Sequence, residues 1–232
     1  MTDAAQHPAQ HADQDRPQDP AATPEAGVDA EGAVSPQPLA ERVENRSQRP
    51  SSDAFRAFMG ADWAPSSDEL PAQDASAPHA ARRRAAVSAR YPGERIVVPA
   101  GRLKVRSNDT DYRFRAHSAF AHLTGLGVDH EPDAVLVLEP TDPGAGDGGS
   151  DHAATLYFRP LAGRDTEQFY ADARAGEFWI GPRPTLAGLA ARTGLRTAGL
   201  EELESAVTKN VSADGTAVRL LAETHQDLDA LL

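Results

Sequence analysis

The feature that most limits the possible folds of this chain is an apolar run, DAVLVLEP, at residues 133–140. Turn residues border it on both sides, and its length is typical of a strand, so the run predicts a strand buried on both faces. The loop TDPGAGDGGSDH follows, and ATLYFRP at residues 154–160 is apolar again. Glycines allow positive φ and the loop has nothing apolar to bury, so we predict a hairpin with this loop at its tip.

Strand and helix patterns alternate along the rest of this region. RIVVPA at residues 95–100 and TAVRLLAE at 216–223 predict further strands. AARRRAAVSARY at 80–91 and TLAGLAARTG at 185–194 predict helices, the second ending at Gly194. This alternation around a strand buried on both faces predicts an α/β fold, a mixed β-sheet flanked by helices.

The first 54 residues have a different composition. They contain seven prolines, no aromatic residue and only four Leu, Ile or Val residues. Such a segment cannot bury enough apolar surface to offset its backbone entropy, so we predict a disordered, acidic, Pro- and Ala-rich tail over residues 1–54. Residues 55–74 are predicted to form a short helix and a linker, and residues 75–232 the α/β domain.

Composition argues against several classes of protein. The formal net charge of −12 is unfavourable for nucleic-acid binding, and no run of 18 apolar residues indicates a transmembrane helix, so neither nucleic acid nor a membrane is a predicted partner. The absence of cysteine excludes disulfides and thiolate metal sites and fits a cytoplasmic protein. None of the eight histidines has a metal-binding spacing. The basic patch RRR at residues 82–84 is interpreted as a solvated helix face.

A dense polar stretch, RSNDTDYRFRAHSAFAHLTGLG, begins at residue 106. Within it Arg113 and Arg115 alternate with Tyr112 and Phe114, which predicts that the aromatic rings face away from the charges. The residues alone leave two interpretations open. One is an internal Arg–Asp network that holds a loop; the other is a polar rim that acts beside another domain. Neither includes a complete catalytic apparatus.

Three ordered motifs and one later segment resemble the N-terminal domain of Xaa-Pro aminopeptidases (aminopeptidase P), in the creatinase/prolidase group. These are R-S-x-D-x-x-Y-x-[FY]-R at Arg106–Arg115, S-x-F-x-x-L-T-G at Ser118–Gly125, E-P-[DE]-A-V-L-V-L at Glu131–Leu138, and E-x-W-x-G-x-R within GEFWIGPRP at 176–184. The resemblance implies an α/β domain of ribonuclease-H-like topology, which agrees with the alternation of strands and helices.

The resemblance also implies an activity and its partners. Family members release the N-terminal residue from peptides with proline second, and catalysis belongs to a C-terminal pita-bread domain that binds two divalent metals, usually manganese. None of those metal ligands can be assigned to this chain. We therefore expect the chain to end before the catalytic domain, to bind no cofactor itself and to be inactive alone. In the family, the N-terminal domain caps the active-site cleft, restricts entry and makes oligomer contacts.

Two residues of this chain are placed near the substrate by the resemblance. Asp109, the aspartate of the R-S-x-D motif, lies toward the substrate region of the catalytic domain, and Trp179 helps to line the pocket for the substrate's proline. An indole ring suits a pyrrolidine ring because both are rigid and little entropy is lost on contact. The alternative for Trp179 is a core position. Its segment, FWIGPRP, is predicted to be extended. Arg183 in the same segment matches a family arginine, but the prolines on either side of it are not part of the family pattern.

Two functions remain open at this point. The first is the substrate-gating and assembly part of a prolyl metallopeptidase. The second is a free-standing binding or interaction module that has kept the fold without the catalytic domain.

Overall fold

The computed structural model of the chain describes residues 52–64, 69–108, 110–164, 166–212 and 215–232. The described residues form seven strands: β1 Arg95–Pro99, β2 Val105–Ser107, β3 Thr110–Asp111, β4 Val135–Pro140, β5 His152–Phe158, β6 Arg196–Gly199 and β7 Val218–Leu220. They also form eight α-helices: α1 Asp53–Gly60, α2 Ala77–Arg90, α3 Ser118–Thr124, α4 Gln168–Ala171, α5 Glu177–Ile180, α6 Leu186–Thr193, α7 Leu203–Thr208 and α8 Gln226–Leu231.

Five of the strands form one mixed sheet, in the order β6-β5-β4-β1-β7. The central strand β4 pairs antiparallel with both β5 and β1. The two outer pairs, β5 with β6 and β1 with β7, are parallel. Strands β2 and β3 form a separate antiparallel hairpin. The predicted α/β fold with a mixed sheet is therefore confirmed.

The central hairpin has the form that the apolar run predicts. In β4, residues Val135 to Leu138 are at most 2% exposed, so the strand is buried on both faces. Residues of β5 alternate between buried and half-buried. The Gly-rich loop contains a 3₁₀ turn at Asp147–Gly149, and the Asp147 carboxylate accepts a hydrogen bond from the amide of Ala154 at 2.6 Å. The loop is thus tied to the strand that follows it.

Apolar side chains form one core on each face of the sheet. Leu136 of β4 belongs to the larger core together with Phe120 of α3 and Phe158 of β5. Its neighbour Val137 belongs to the smaller core together with Val207 of α7. Two cores form because successive side chains of a strand point to opposite faces. Helices consequently cover both faces of the sheet.

Helix ends follow the signals in the sequence. The Ser52 hydroxyl accepts a hydrogen bond from the amide of Phe55 at 3.2 Å and caps α1. The Thr185 hydroxyl caps α6 in the same way, and Gly194, with φ of 68°, ends that helix in the left-handed region that favours glycine. Within the described parts of the chain, no helix has both the length and the apolar character needed to span a bilayer.

Some local predictions were wrong. FWIGPRP, predicted to be extended, begins within a helical turn, because α5 covers Glu177–Ile180. The basic patch at residues 82–84 is not simply a solvated face: Arg84 is 8% exposed and donates a hydrogen bond to the Leu123 carbonyl at 2.8 Å. Arg83 likewise donates to the His122 carbonyl at 3.0 Å. Two of the three arginines therefore connect α2 to α3.

Removal of residues 1–51 is expected to leave the melting temperature almost unchanged, because this segment has little apolar surface to bury. These residues lie outside the described part of the chain, whereas Ser52, the cap of α1, is retained. Differential scanning calorimetry of both proteins gives the comparison. A control deletion that extends to residue 64 also removes Trp63 and is expected to lower the melting temperature. A fall of many degrees for the shorter deletion would show that the segment packs on the domain.

Candidate functional site around Trp179

Trp179 lies on the short helix α5 at the protein surface, where it is 58% exposed. Its indole Nε1 donates a hydrogen bond to the Tyr170 carbonyl at 2.7 Å. The ring of Phe178 meets it edge-on, with centroids 5.3 Å apart and planes at 81°. Trp179 is therefore not a core residue. Its indole is held at the N–H group and by one neighbouring ring, while much of the side chain faces solvent.

Two glycines fix the ends of α5. A side chain at Gly176 would clash with the Phe169 carbonyl, so only glycine fits the start of this helix. At the other end Gly181 has φ of +81°, in the region that favours glycine. The turn that presents Trp179 is therefore set by backbone positions on each side of it.

Aromatic side chains from two distant segments meet beside Trp179. The ring centroid of Trp63 lies 5.3 Å from that of the buried Phe169 and 6.2 Å from that of Phe178, and both pairs are T-shaped. Edge-to-face pairs of this kind add to the stabilisation from burial. We use the name aromatic surface for five side chains that are each between 44% and 73% exposed: Phe58, Trp63, Phe178, Trp179 and Ile180.

Arg164 connects the two segments of the chain that form the aromatic surface. Its guanidinium carbon lies 5.6 Å from the centroid of the Trp63 ring. The same side chain donates a hydrogen bond to the Ala64 carbonyl, and its Nη2 donates to Glu177 Oε1 at 3.2 Å. Since Glu177 lies in the first turn of α5, Arg164 connects the segment after α1 to the helix that carries Trp179.

Asp109, the other predicted site residue, lies outside the described residues. The residues on both sides of position 109 are described, and they form the β2–β3 hairpin. Asp111 of this hairpin forms an ion pair with Arg174, with 2.7 Å between Oδ2 and Nε. Arg174 belongs to the turn between α4 and α5. The structure thus brings the hairpin of the R-S-x-D motif next to the segment that carries Trp179.

The rest of the polar stretch is only partly as predicted. Phe114 is 8% exposed and packs in the larger core, whereas Tyr112 is 58% exposed, so the two rings do not share an environment. Arg113 donates to Asp129 Oδ2 at 2.6 Å, and this hydrogen bond lowers the pKa of the Asp129 carboxyl. Local Arg–Asp pairs therefore exist within this stretch, as one interpretation predicts, but the Arg113 pair is exposed and contributes little to stability.

Arg183 has an internal position. It is 9% exposed and forms an ion pair with Glu131, which is equally buried. It also donates to the Arg159 carbonyl at 3.2 Å. Burial raises the pKa of the Glu131 carboxyl, and the neighbouring Arg183 opposes that shift. Arg183 therefore holds the segment after α5 against the residues that lead into β4.

Ser88 and His152 form a buried pair that no motif in the sequence indicated. Ser88 Oγ lies 2.7 Å from His152 Nδ1, and His152 Nε2 lies 2.8 Å from the Glu94 carbonyl oxygen. The Ser88 hydroxyl also accepts a hydrogen bond from the amide of Asp151 at 3.1 Å. Both side chains are thus hydrogen-bonded inside the protein, and the pair ties the end of α2 to the start of β5.

The described residues contain no group of three or more histidine, aspartate or glutamate side chains that could hold a metal ion. The described part of the chain therefore does not fit the dinuclear manganese centre that the resemblance implies for the catalytic domain.

Comparison with known proteins identifies the family. The family model of the aminopeptidase P N-terminal domain matches residues 79–218. The chain belongs to this family. Xaa-Pro aminopeptidase 1 of Streptomyces coelicolor is 43% identical over 152 residues, which cover 66% of this chain and 29% of that protein. Xaa-Pro aminopeptidase 2 of the same organism is 40% identical over 202 residues, which cover 84% of this chain and 41% of that protein.

Solved structures support the same fold. Escherichia coli aminopeptidase P in its low-pH form superposes with a TM-score of 0.53 at 23% sequence identity. The match covers 68% of this chain and 32% of the E. coli chain. The chain thus spans less than half the length of the relatives named here, and it has the fold of their aminopeptidase P N-terminal domain.

Trp179→Ala and Asp109→Ala are each expected to lower the free energy of unfolding by no more than about 1 kcal/mol. For Trp179 the reason is that the side chain is 58% exposed and loses one hydrogen bond and one ring contact. Urea denaturation followed by circular dichroism measures the change. Phe169→Ala is the control, because that ring is 1% exposed and its loss is expected to cost far more. A loss of several kcal/mol for Trp179→Ala would show that this tryptophan is structural.

Proposed function

We propose that this chain is the substrate-gating and assembly domain of an Xaa-Pro aminopeptidase, an enzyme that releases the N-terminal residue from peptides with proline second. The observation that carries the proposal is the exposed Trp179, held at its N–H group by the Tyr170 carbonyl in a domain of this family. The names of the S. coelicolor relatives supply the activity. The chain spans 29% and 41% of their lengths, so the proposal assigns it one part of the enzyme.

The geometry supports a role in recognising proline. A rigid pyrrolidine ring packs well on a flat indole, and an indole that is already fixed loses little further entropy on contact. The Asp111–Arg174 ion pair keeps the hairpin of Asp109 beside the same segment, so a peptide on Trp179 has a polar rim close by. In this proposal Asp109 and Trp179 face the substrate from the side opposite the catalytic residues.

The proposed partners of this chain are a catalytic domain and further copies of the chain. In this proposal the catalytic chemistry, with its two manganese ions, belongs to a pita-bread catalytic domain. The exposed aromatic surface supports contacts with that domain and within an oligomer, since exposed apolar patches commonly mark interaction sites. We also propose a cytoplasmic location, which fits the absence of cysteine.

The decisive experiment uses a chimera in which this chain replaces the matching N-terminal part of S. coelicolor Xaa-Pro aminopeptidase 2. Trp179→Ala and Asp109→Ala are each expected to lower kcat/KM for Xaa-Pro peptides on the order of tenfold. Val211→Ala is the matched control, because Val211 is an exposed apolar residue outside the aromatic surface, and it should leave kcat/KM unchanged. An active chimera that is insensitive to Trp179→Ala would contradict the gating role.

The unmodified chain alone provides the second arm of this test. It is expected to release no N-terminal residue from Xaa-Pro peptides, with or without manganese, because the family places the metal ligands in the catalytic domain. Hydrolysis together with stoichiometric manganese binding would overturn this division of roles. Tight binding of a proline peptide by the chain alone, with an inactive chimera, would favour the free-standing binding module instead.

A further inference from the structure

We propose that residues 53–64 extend the surface on which the catalytic domain docks, and that Phe58 and Trp63 are its contact residues. The inference rests on the proposed function, which supplies the partner. The family model begins at residue 79, so helix α1 and Trp63 precede the range that it matches. The match to S. coelicolor Xaa-Pro aminopeptidase 2 covers 84% of this chain and includes this segment.

Helix α1 has one exposed large apolar side chain, Phe58, and two that are partly covered, Phe55 and Met59. Its sequence, DAFRAFMG, includes three large apolar residues, yet none of its residues is buried. Phe58 is 73% exposed, the highest value among the large apolar side chains that the structure describes. Phe58 lies one helical turn after Phe55 and directly before Met59, whose carbonyl accepts a hydrogen bond from Trp63. Exposed apolar patches of several residues mark interaction sites.

The segment is nevertheless fixed in place. Trp63 Nε1 donates a hydrogen bond to the Met59 carbonyl at 2.7 Å, which folds the chain after α1 back onto the helix. The Phe55 ring lies edge-on to Tyr170, with centroids 5.5 Å apart, and the Tyr170 carbonyl in turn holds Trp179. A surface that is already ordered binds its partner at a lower entropic cost.

Trp63 makes this segment continuous with the site around Trp179. Its ring contacts Phe178, the neighbour of Trp179, and Arg164 links its segment to Glu177 of α5. Any domain that covers Trp179 closely enough to enclose a proline ring therefore meets Trp63 at the same surface. This continuity favours the catalytic domain over an unrelated occupant.

The length of the relatives supports a protein domain of the same enzyme as the partner. More than half of S. coelicolor Xaa-Pro aminopeptidase 2 lies outside the matched region, which leaves ample chain to form such a partner.

The test uses the same chimera, with p-benzoylphenylalanine in place of Phe58 for photo-crosslinking. We expect crosslinks to the catalytic part of the enzyme, mapped by mass spectrometry, and none from the same group placed at position 211. Phe58→Ala and Trp63→Ala are each expected to lower kcat/KM for Xaa-Pro peptides roughly fivefold, whereas Trp63→Phe should retain most of it. The melting temperature of the full chain should not change with Phe58→Ala, since that ring is 73% exposed.

Three outcomes separate this inference from the proposed function. Crosslinks from position 58 to another copy of this domain, or equal crosslinking from position 211, would overturn the inference. If Trp179→Ala impairs cleavage and position 58 gives no crosslink to the catalytic part, the proposed function stands and the inference fails. If position 58 crosslinks as expected and Trp179→Ala has no effect, docking is supported and the gating role fails.

Discussion

Arg183→Ala is expected to lower the free energy of unfolding of the full chain by about 3–5 kcal/mol. The substitution leaves Glu131, which is 9% exposed, as a buried carboxylate without its cation. It also removes the hydrogen bond to the Arg159 carbonyl. Guanidinium chloride denaturation followed by circular dichroism measures the loss. A change below about 1 kcal/mol would show that water replaces the guanidinium, and that the Arg183–Glu131 ion pair contributes little to stability.

A double variant separates the charge of Glu131 from the packing of Arg183. Burial disfavours the charged form of the Glu131 carboxyl and so raises its pKa, while Arg183 opposes this shift. Combining Arg183→Met with Glu131→Gln removes both charges and keeps most of the volume. We therefore expect the double variant to cost less than the sum of the two single changes. A loss for the double variant equal to the sum of the two single losses would mean that the two side chains contribute independently.

The position of Arg183 also decides how its effect on activity should be interpreted. Arg183 lies three residues after the end of α5 and pairs with Glu131, which precedes β4. We therefore expect a loss of activity in an Arg183→Ala chimera to arise from displacement of the segment that carries Trp179.

The strands of the sheet could be predicted from the sequence where burial requires a run of apolar residues. The run at residues 133–140 is apolar because β4 is buried on both faces, and the turn residues around it fix its ends. Strand β6, RTAG, was not predicted, since it lies at the edge of the sheet and is only partly buried. The helical turn α5 was also missed, because the composition of FWIGPRP favours an extended chain. The backbone approaches Gly176 so closely that a side chain there would clash, and no local pattern encodes this close approach.

The candidate site was predictable only where a motif exists. Trp179 was found through the E-x-W-x-G-x-R pattern, but its exposure depends on packing that no local pattern encodes. Trp63 and Arg164 belong to no motif, and Arg164 meets the Ala64 carbonyl 100 residues away along the chain. The Ser88–His152 pair likewise joins residues separated by 64 positions. Long-range contacts of this kind become visible only once the sheet has brought the segments together.

Arg95→Ala is the second substitution for which we expect a loss of about 3–5 kcal/mol. Arg95 is 1% exposed at the start of β1. Its Nη1 donates to the carbonyls of Val207 and Lys209, at 2.9 Å and 2.8 Å, and its Nη2 donates to Glu139 Oε1 at 2.8 Å. The last carbonyls of a helix have no partner within the helix, so Arg95 caps α7 from the neighbouring strand.

Arg95→Lys is the control that distinguishes charge from geometry. Lysine keeps the positive charge but lacks the planar fork with which arginine reaches two carbonyls and a carboxylate together. We therefore expect the free energy of unfolding of Arg95→Lys to lie between that of the wild type and that of Arg95→Ala. Urea denaturation of the three proteins, followed by circular dichroism, measures the difference. Equal stability of Arg95→Lys and the wild type would show that charge alone suffices. A loss below about 1 kcal/mol for Arg95→Ala would show that α7 is held by its apolar contacts with β4, because the unpaired carbonyls would then have found water.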